Sequence, residues 1–124
     1  MAKSLMIVDD SATMRKIVMR TVRMSGLQFD RTEEAGNGVE ALAKLEAGPV
    51  DIMLCDVNMP EMNGTELVKK VRENAAYKDI KIVMVSTESS DDFIDELLKN
   101  GADAYITKPF TPDKFQDKLA PLLN

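Results

Sequence analysis

Short apolar runs recur along the chain, each stopping at a polar residue, and between them apolar positions fall at helical spacing. Leu5-Met6-Ile7-Val8 stops at Asp9-Asp10, Val50-Asp51-Ile52-Met53-Leu54-Cys55 stops at Asp56, and Ala104-Tyr105-Ile106-Thr107 stops at Lys108. Ile82-Val83-Met84-Val85 sits inside a further strand from Lys81 to Ser86. Runs of this kind are too short for most helices and suit strands covered on both faces. A more charged segment over residues 30–35 predicts a weaker strand, suited to a sheet edge. Met14, Ile17, Val18, Thr21 and Val22 recur as one helix face, with Gly26 as a stop. Val39, Leu42, Ala43 and Leu45 mark a short helix ending before Gly48-Pro49. After a loop over residues 57–63, Leu67, Val68 and Val71 mark a third. Phe93, Ile94, Leu97 and Leu98 mark a fourth, stopping at Asn100-Gly101. Thr111-Pro112 caps and starts a last helix running through Phe115 and Leu119.

Strict alternation of strand and helix predicts an α/β domain of (βα)5 type, a parallel sheet with helices on both faces. In such a sheet all strand C-termini lie on one edge, so Asp9, Asp10, Asp56 and Lys108 are expected to converge. Three carboxylates close together repel one another unless a cation sits among them, and oxygen-only ligands suit a hard ion such as Mg²⁺. A lysine beside them adds nothing to metal binding. It does fit the arrival of a phosphoryl group, which carries about −1.5 to −2 charges at neutral pH. Each piece alone has a plainer reading. Asp9-Asp10-Ser11-Ala12 can be only a helix N-cap, Lys108-Pro109 a solvated lysine before a turn, and Ser86 a hydroxyl at a helix start. Met59-Pro60 and Asn63-Gly64 can be turn chemistry alone.

Composition narrows the class further. At 124 residues the chain can bury a core but has no room for a second folded unit. A net charge of −5 argues against nucleic-acid binding. No segment approaches the ~20 apolar residues of a membrane span, and none has the form of a signal peptide, so a cytoplasmic protein without membrane attachment is expected. The single cysteine, Cys55, lies within an apolar run and reads as a buried small hydrophobe. The nine methionines mix core and loop positions and suggest no metal or haem site.

Asp9-Asp10-Ser11, Asp56 with Met59-Pro60-Glu61-Met62-Asn63-Gly64, Ser86 after its apolar run, and Lys108-Pro109-Phe110 together resemble the response-regulator receiver domain of two-component signalling. The likeness runs from about residue 4 to about residue 119. It implies a flavodoxin-like sheet of strand order 2-1-3-4-5, whose winding reverses between strands 1 and 3, where open α/β sheets bind ligands. It further implies that Asp56 accepts the phosphoryl group, and that Asp10, Asp56 and the backbone carbonyl of Asn58 hold Mg²⁺, with Asp9 acting through a water. Ser86 and Lys108 would each contact a phosphoryl oxygen. Tyr105 would swing inward from the surface on phosphorylation, and Asn58 and Glu88 would tune hydrolysis in the pattern common to chemotaxis receivers. Serine replaces the family's frequent threonine at position 86, which keeps the hydroxyl and is expected to loosen the coupling of phosphorylation to shape.

The stretch from Asp10 to Val18 resembles the free-standing receivers of bacterial chemotaxis. With no output domain within residues 1–124, output is expected through another protein: a monomer phosphorylated by a histidine kinase of the chemotaxis type, acting on a flagellar switch or other target, with a phosphatase as a possible further partner. It would be no enzyme beyond catalysing its own phosphorylation and dephosphorylation. A stand-alone receiver serving as phosphorelay intermediate or phosphate sink is the alternative. A Mg²⁺-dependent phosphohydrolase of the haloacid-dehalogenase type would need Asp-x-Asp at its nucleophile strand, where this chain has adjacent Asp9-Asp10 and Asp56-Val57-Asn58. Pro121 departs from the family, falling where its last helix continues; it removes an N–H and crowds the carbonyl of Asp117.

Overall fold

A computed structural model of the chain describes residues 3–57, 64–86, 91–108 and 110–123. The elements follow the predicted alternation: β1 (Ser4–Val8), α1 (Ala12–Met24), β2 (Arg31–Ala35), α2 (Gly38–Ala47), β3 (Ile52–Asp56), α3 (Gly64–Glu73), β4 (Lys81–Ser86), α4 (Asp91–Lys99), β5 (Ala104–Thr107) and α5 (Pro112–Leu123). A one-turn 3₁₀ helix at Ala75–Tyr77, absent from the sequence reading, links α3 to β4. The strands form one parallel sheet in the order β2-β1-β3-β4-β5. Among the described residues no helix is long and apolar enough to cross a membrane.

Because side chains alternate across a strand, each apolar run feeds two cores. Leu5, Ile7, Ile52, Leu54, Val83, Val85 and Ile106 meet Val18 and Val22 of α1 and Phe115 and Leu119 of α5 on one face. Met6, Val8, Met53, Cys55, Ile82 and Met84 meet Ala41 and Leu45 of α2, Leu67, Val68 and Val71 of α3, and Leu97 of α4 on the other. The polar strand β2 is an edge, as its charge suggests. The second helix turns Leu42 and Leu45 to the core as expected, but not Val39 and Ala43. Gly38, Ala41 and Leu45 are buried, while Val39 is 52% exposed, since a stripe phased on the small residues lets the helix approach the sheet closely.

Polar groups fix the edge remote from Asp56. Carboxylates immediately before β2, β3 and β5 accept backbone N–H groups of neighbouring strands: Asp30 from Lys3, Asp51 from Ser4, and Asp103 from Ile82. Arg72, in the last turn of α3, donates to the Gly101 carbonyl at 2.9 Å and to Asp103 at 2.8 Å. Gly101 takes φ +119° in a Schellman-type end to α4, with Ala102 N–H on the Leu97 carbonyl and Gly101 N–H on that of Leu98. A Cβ at Gly101 would also lie 2.5 Å from Arg72 Cγ, so glycine is required there twice over.

Helix α5 starts at Pro112, with Thr111 Oγ1 accepting from Lys114 N–H. It continues through Pro121 to Leu123, so the proline does not end it. Only one intrahelical bond, to Asp117, is forfeited, and Leu119, Leu122 and Leu123 pack against the core on either side of it.

Arg72→Ala leaves the carbonyl of Gly101 and the carboxylate of Asp103 short of a charged donor. Denaturant unfolding is expected to show a loss of about 2 kcal/mol, typical of hydrogen bonds to charged groups, with the fold retained.

Candidate functional site

The site lies where β1 and β3, neighbours in the sheet but not in sequence, reach its carboxyl edge. Val8 pairs with Cys55, so Asp9 and Asp56 emerge side by side. The β1–α1 turn is set by Ser11, which caps α1 by accepting from Met14 N–H at 3.1 Å. The plainer N-cap reading is therefore correct for Ser11 alone. Asp9 is turned back, its Oδ1 accepting from Ser11 N–H at 2.9 Å, and is only 5% exposed. Asp10 stays exposed. One carboxylate oxygen from each of Asp9, Asp10 and Asp56 lies within 4.8 Å of the others.

Lys108 reaches this cluster from the end of β5. Its Nζ is 3.6 Å from Asp56 Oδ1, and both side chains are largely enclosed. Its backbone N–H donates to the Ser86 carbonyl at 2.7 Å, tying the ends of β4 and β5 together beside the carboxylates. Ser86 is buried at the end of β4. The structure thus brings together Asp9, Asp10, Asp56, Ser86 and Lys108. Asn58 and Glu88 lie outside the described residues, as does the stretch from Met59 to Asn63. Tyr105 is found inside, 8% exposed in the apolar cluster with Met84 and Leu97, rather than at the surface from which an inward swing would begin. Its ring gains more from that core than from solvent.

The electrostatics follow from crowding. Burial raises the pKa of Asp9 above 3.8, the Asp56 and Asp10 charges push it further up, and the Ser11 N–H and the Lys108 ammonium partly oppose them. Burial, then Asp56 and Asp9, holds the Cys55 thiol far above its ordinary value. It donates to the Asp56 carbonyl at 3.3 Å and, wholly buried, is the small hydrophobe the sequence suggested. All-oxygen donors with excess negative charge fit a hard divalent cation.

Two further residues matter here, to which the sequence assigned no role at the site. Gly64 N–H closes the loop after Asp56 by donating to the Val57 carbonyl at 2.9 Å. A Cβ on Gly64 would stand 2.5 Å from the Asp56 carbonyl oxygen, so this glycine allows the return of the chain beside Asp56. Arg15 of α1 donates to the Asp9 carbonyl at 2.6 Å and pairs with Glu34 at 2.9 Å. Gly64 was visible as part of a turn-like Asn63-Gly64 pair and as the last residue of the motif following Asp56, and nothing local marks Arg15.

Residues 5–120 match the response regulator receiver domain. The chain is 45% identical over 120 residues to the chemotaxis protein CheY1 of Helicobacter pylori, covering 96% of this chain and 95% of that protein. It is 46% identical over 120 residues to a chemotaxis protein CheY homolog of Campylobacter jejuni, covering 96% and 91%. Among solved structures, the chemotaxis protein CheY4 of Vibrio cholerae superposes with a TM-score of 0.86 at 36% identity, covering 98% of this chain and 99% of that one.

The raised pKa of Asp9 means that the folded state holds its proton more tightly than the unfolded one. Its contribution to stability is full below 3.8 and is lost as pH rises through the higher folded value. In the presence of a chelator, Asp9→Asn is therefore expected to melt at a higher temperature than the parent protein at neutral pH, the gap closing on acidification. A variant less stable than the parent at neutral pH, or a gap independent of pH, would contradict this account of the site.

Proposed function

The chain belongs to the response-regulator receiver family, and from that premise we propose that it is phosphorylated on Asp56 by a histidine kinase, with Mg²⁺, and signals by binding another protein in chemotaxis or flagellar motility. The observation that carries this reading is the ammonium of Lys108, held 3.6 Å from the central member of a carboxylate triad at the sheet's switch point. A triad built only to hold a metal gains nothing from that lysine, whereas a site that must also accept a phosphoryl group does.

In the reaction, a carboxylate oxygen of Asp56 attacks the phosphorus of a phosphohistidine in line. The P–N bond breaks, the imidazole leaves with the electron pair, and Asp56 carries an acyl phosphate. Lys108, paired with Asp56 beforehand, transfers its contact to a phosphoryl oxygen. Ser86 donates its hydroxyl to another. Asp10, Asp56 and the Asn58 carbonyl would hold Mg²⁺, with Asp9 acting through a water, and the ion would supply neutralisation of charge on the transferring group. By resemblance to the chemotaxis receivers, Asn58 and Glu88 would tune hydrolysis of the acyl phosphate, and the protein would turn over only its own modification.

The chemotaxis assignment rests on relatives at 45% and 46% identity that span almost the same length as this chain. The kinase is then of the chemotaxis type, the target a flagellar switch or similar protein, and a phosphatase a further partner. Output uses the face of α4, β5 and α5, where a groove of about 240 Å³ is lined by Tyr105, Ile106, Thr107, Lys114, Asp117 and Lys118. The differential contacts of one phosphoryl group limit the energy available, so phosphorylation shifts populations rather than throwing a rigid switch.

Incubation with acetyl phosphate or a phosphorylated kinase in Mg²⁺, followed by intact mass measurement, tests the chemistry. One phosphoryl adduct is expected on the parent protein and none on Asp56→Asn. Ser86→Ala is expected to be labelled yet to show weaker chemical-shift changes at Tyr105 and α4 with beryllofluoride. An Asp56→Asn variant that still takes up one phosphoryl group would sink the assignment.

A further inference from the structure

Asp9 is fixed from three directions. Its backbone N–H donates to the Ala35 carbonyl at 3.0 Å, its Oδ1 accepts from Ser11 N–H, and its own carbonyl accepts from Arg15 Nη1 at 2.6 Å. The first two bonds come from the sheet and the turn. The third comes from a side chain whose position is otherwise unfavourable. Arg15 is the fourth residue of α1, where a cation faces the positive end of the helix dipole, and no acidic residue in that turn offsets it.

What holds Arg15 there is a relay across three elements. Its Nε pairs with Glu34 Oε1 at 2.9 Å, the Glu34 carbonyl accepts from Lys44 Nζ, and Lys44 pairs with Glu40 at 3.8 Å. Glu34 is half exposed, so the ion pair itself contributes little to stability. Its geometric effect is larger, because a guanidinium held at Nε by one partner presents Nη1 to the other in a fixed direction.

We propose that Arg15 is a positioning residue for Mg²⁺ binding, orienting the Asp9 end of the carboxylate triad through the Asp9 carbonyl, with Glu34 aiming the guanidinium. This deepens the phosphorylation reading and rests on it. Charge and geometry predict opposite signs for its removal. A nearby cation disfavours Mg²⁺ by Coulomb repulsion, so if Arg15 acted by charge alone its loss would tighten binding. If it acts by position, its loss weakens binding.

The test is a Mg²⁺ titration followed by NMR chemical shifts at the backbone amides of Asp9, Asp10 and Asp56, with metal-free melts in parallel. Arg15→Ala is expected to raise the Mg²⁺ dissociation constant about tenfold, the low end for loss of an outer partner of a metal site. Arg15→Lys keeps the charge but not the fork and is also expected to weaken binding. Glu34→Gln, which leaves the Asp9 contact in place, is expected to weaken it less, about threefold against that tenfold. Arg15→Ala binding Mg²⁺ as tightly as the parent protein or tighter, or losing melting temperature with its affinity unchanged, overturns the proposal. Should Arg15→Ala fail to fold, Arg15→Lys and Glu34→Gln decide by the same criterion. A parent protein whose site amides do not respond to Mg²⁺ would instead overturn the phosphorylation reading, and this proposal with it.

Discussion

Like charges forced together at one end of a sheet set the terms for the rest of this molecule. Asp9, Asp10 and Asp56 place carboxylate oxygens within 4.8 Å of one another, and Asp9 is almost wholly buried while it does so. A flexible loop would relieve that repulsion by moving apart. Here two of the three stand at the ends of adjacent strands whose register is locked by Val8 against Cys55, so the chain cannot relax without breaking the sheet. The same strands contribute side chains to both cores, and it is this apolar burial that holds the carboxylates in place.

The polar contacts then divide between the two ends of the sheet. At the remote end the carboxylates find firm partners: Asp30, Asp51 and Asp103 accept backbone N–H groups, and Arg72 ties α3 to the end of α4. At the carboxyl end the compensation is partial. Ser11 N–H and Lys108 lower the cost of Asp9's charge without cancelling burial and its two acidic neighbours. The imbalance favours a cation and, after it, an anionic group that Lys108 and Ser86 can meet. A rigid end and an undercompensated end suit a protein whose chemistry must alter one edge while the fold persists.

Much of this was legible in the sequence because its carriers are local. The apolar runs marked four of the five strands and a charged segment marked the edge strand β2, and Asp9, Asp10, Asp56 and Lys108 were placed correctly because a parallel sheet puts all strand ends on one edge. Thr111-Pro112 announced α5 by capping chemistry alone. The features that escaped depend on reach or on packing. Arg15 and Arg72 act through long side chains on residues six to thirty-one positions away, which no periodicity encodes. Gly64 matters for the atoms it would strike, and those come from Asp56 and Met84. Pro121 should break a helix on local grounds, yet tertiary packing of its neighbours carries the last turn past it. Tyr105 was expected at the surface through resemblance, and its enclosure here depends on how α4 and β5 close around it. In the second helix Leu42 and Leu45 were placed correctly, while Val39 and Ala43 were not, because the small residues Gly38 and Ala41 complete its buried stripe.

If undercompensated charge is the governing constraint, a divalent cation must stabilise the folded state, by an amount that grows with its concentration as RT ln(1 + [L]/Kd). Thermal melts across a Mg²⁺ series measure this without any kinase or partner. The account predicts a midpoint that climbs steadily through the millimolar range for the parent protein and climbs much less for Asp10→Asn. A parent midpoint unmoved by millimolar Mg²⁺ would contradict it.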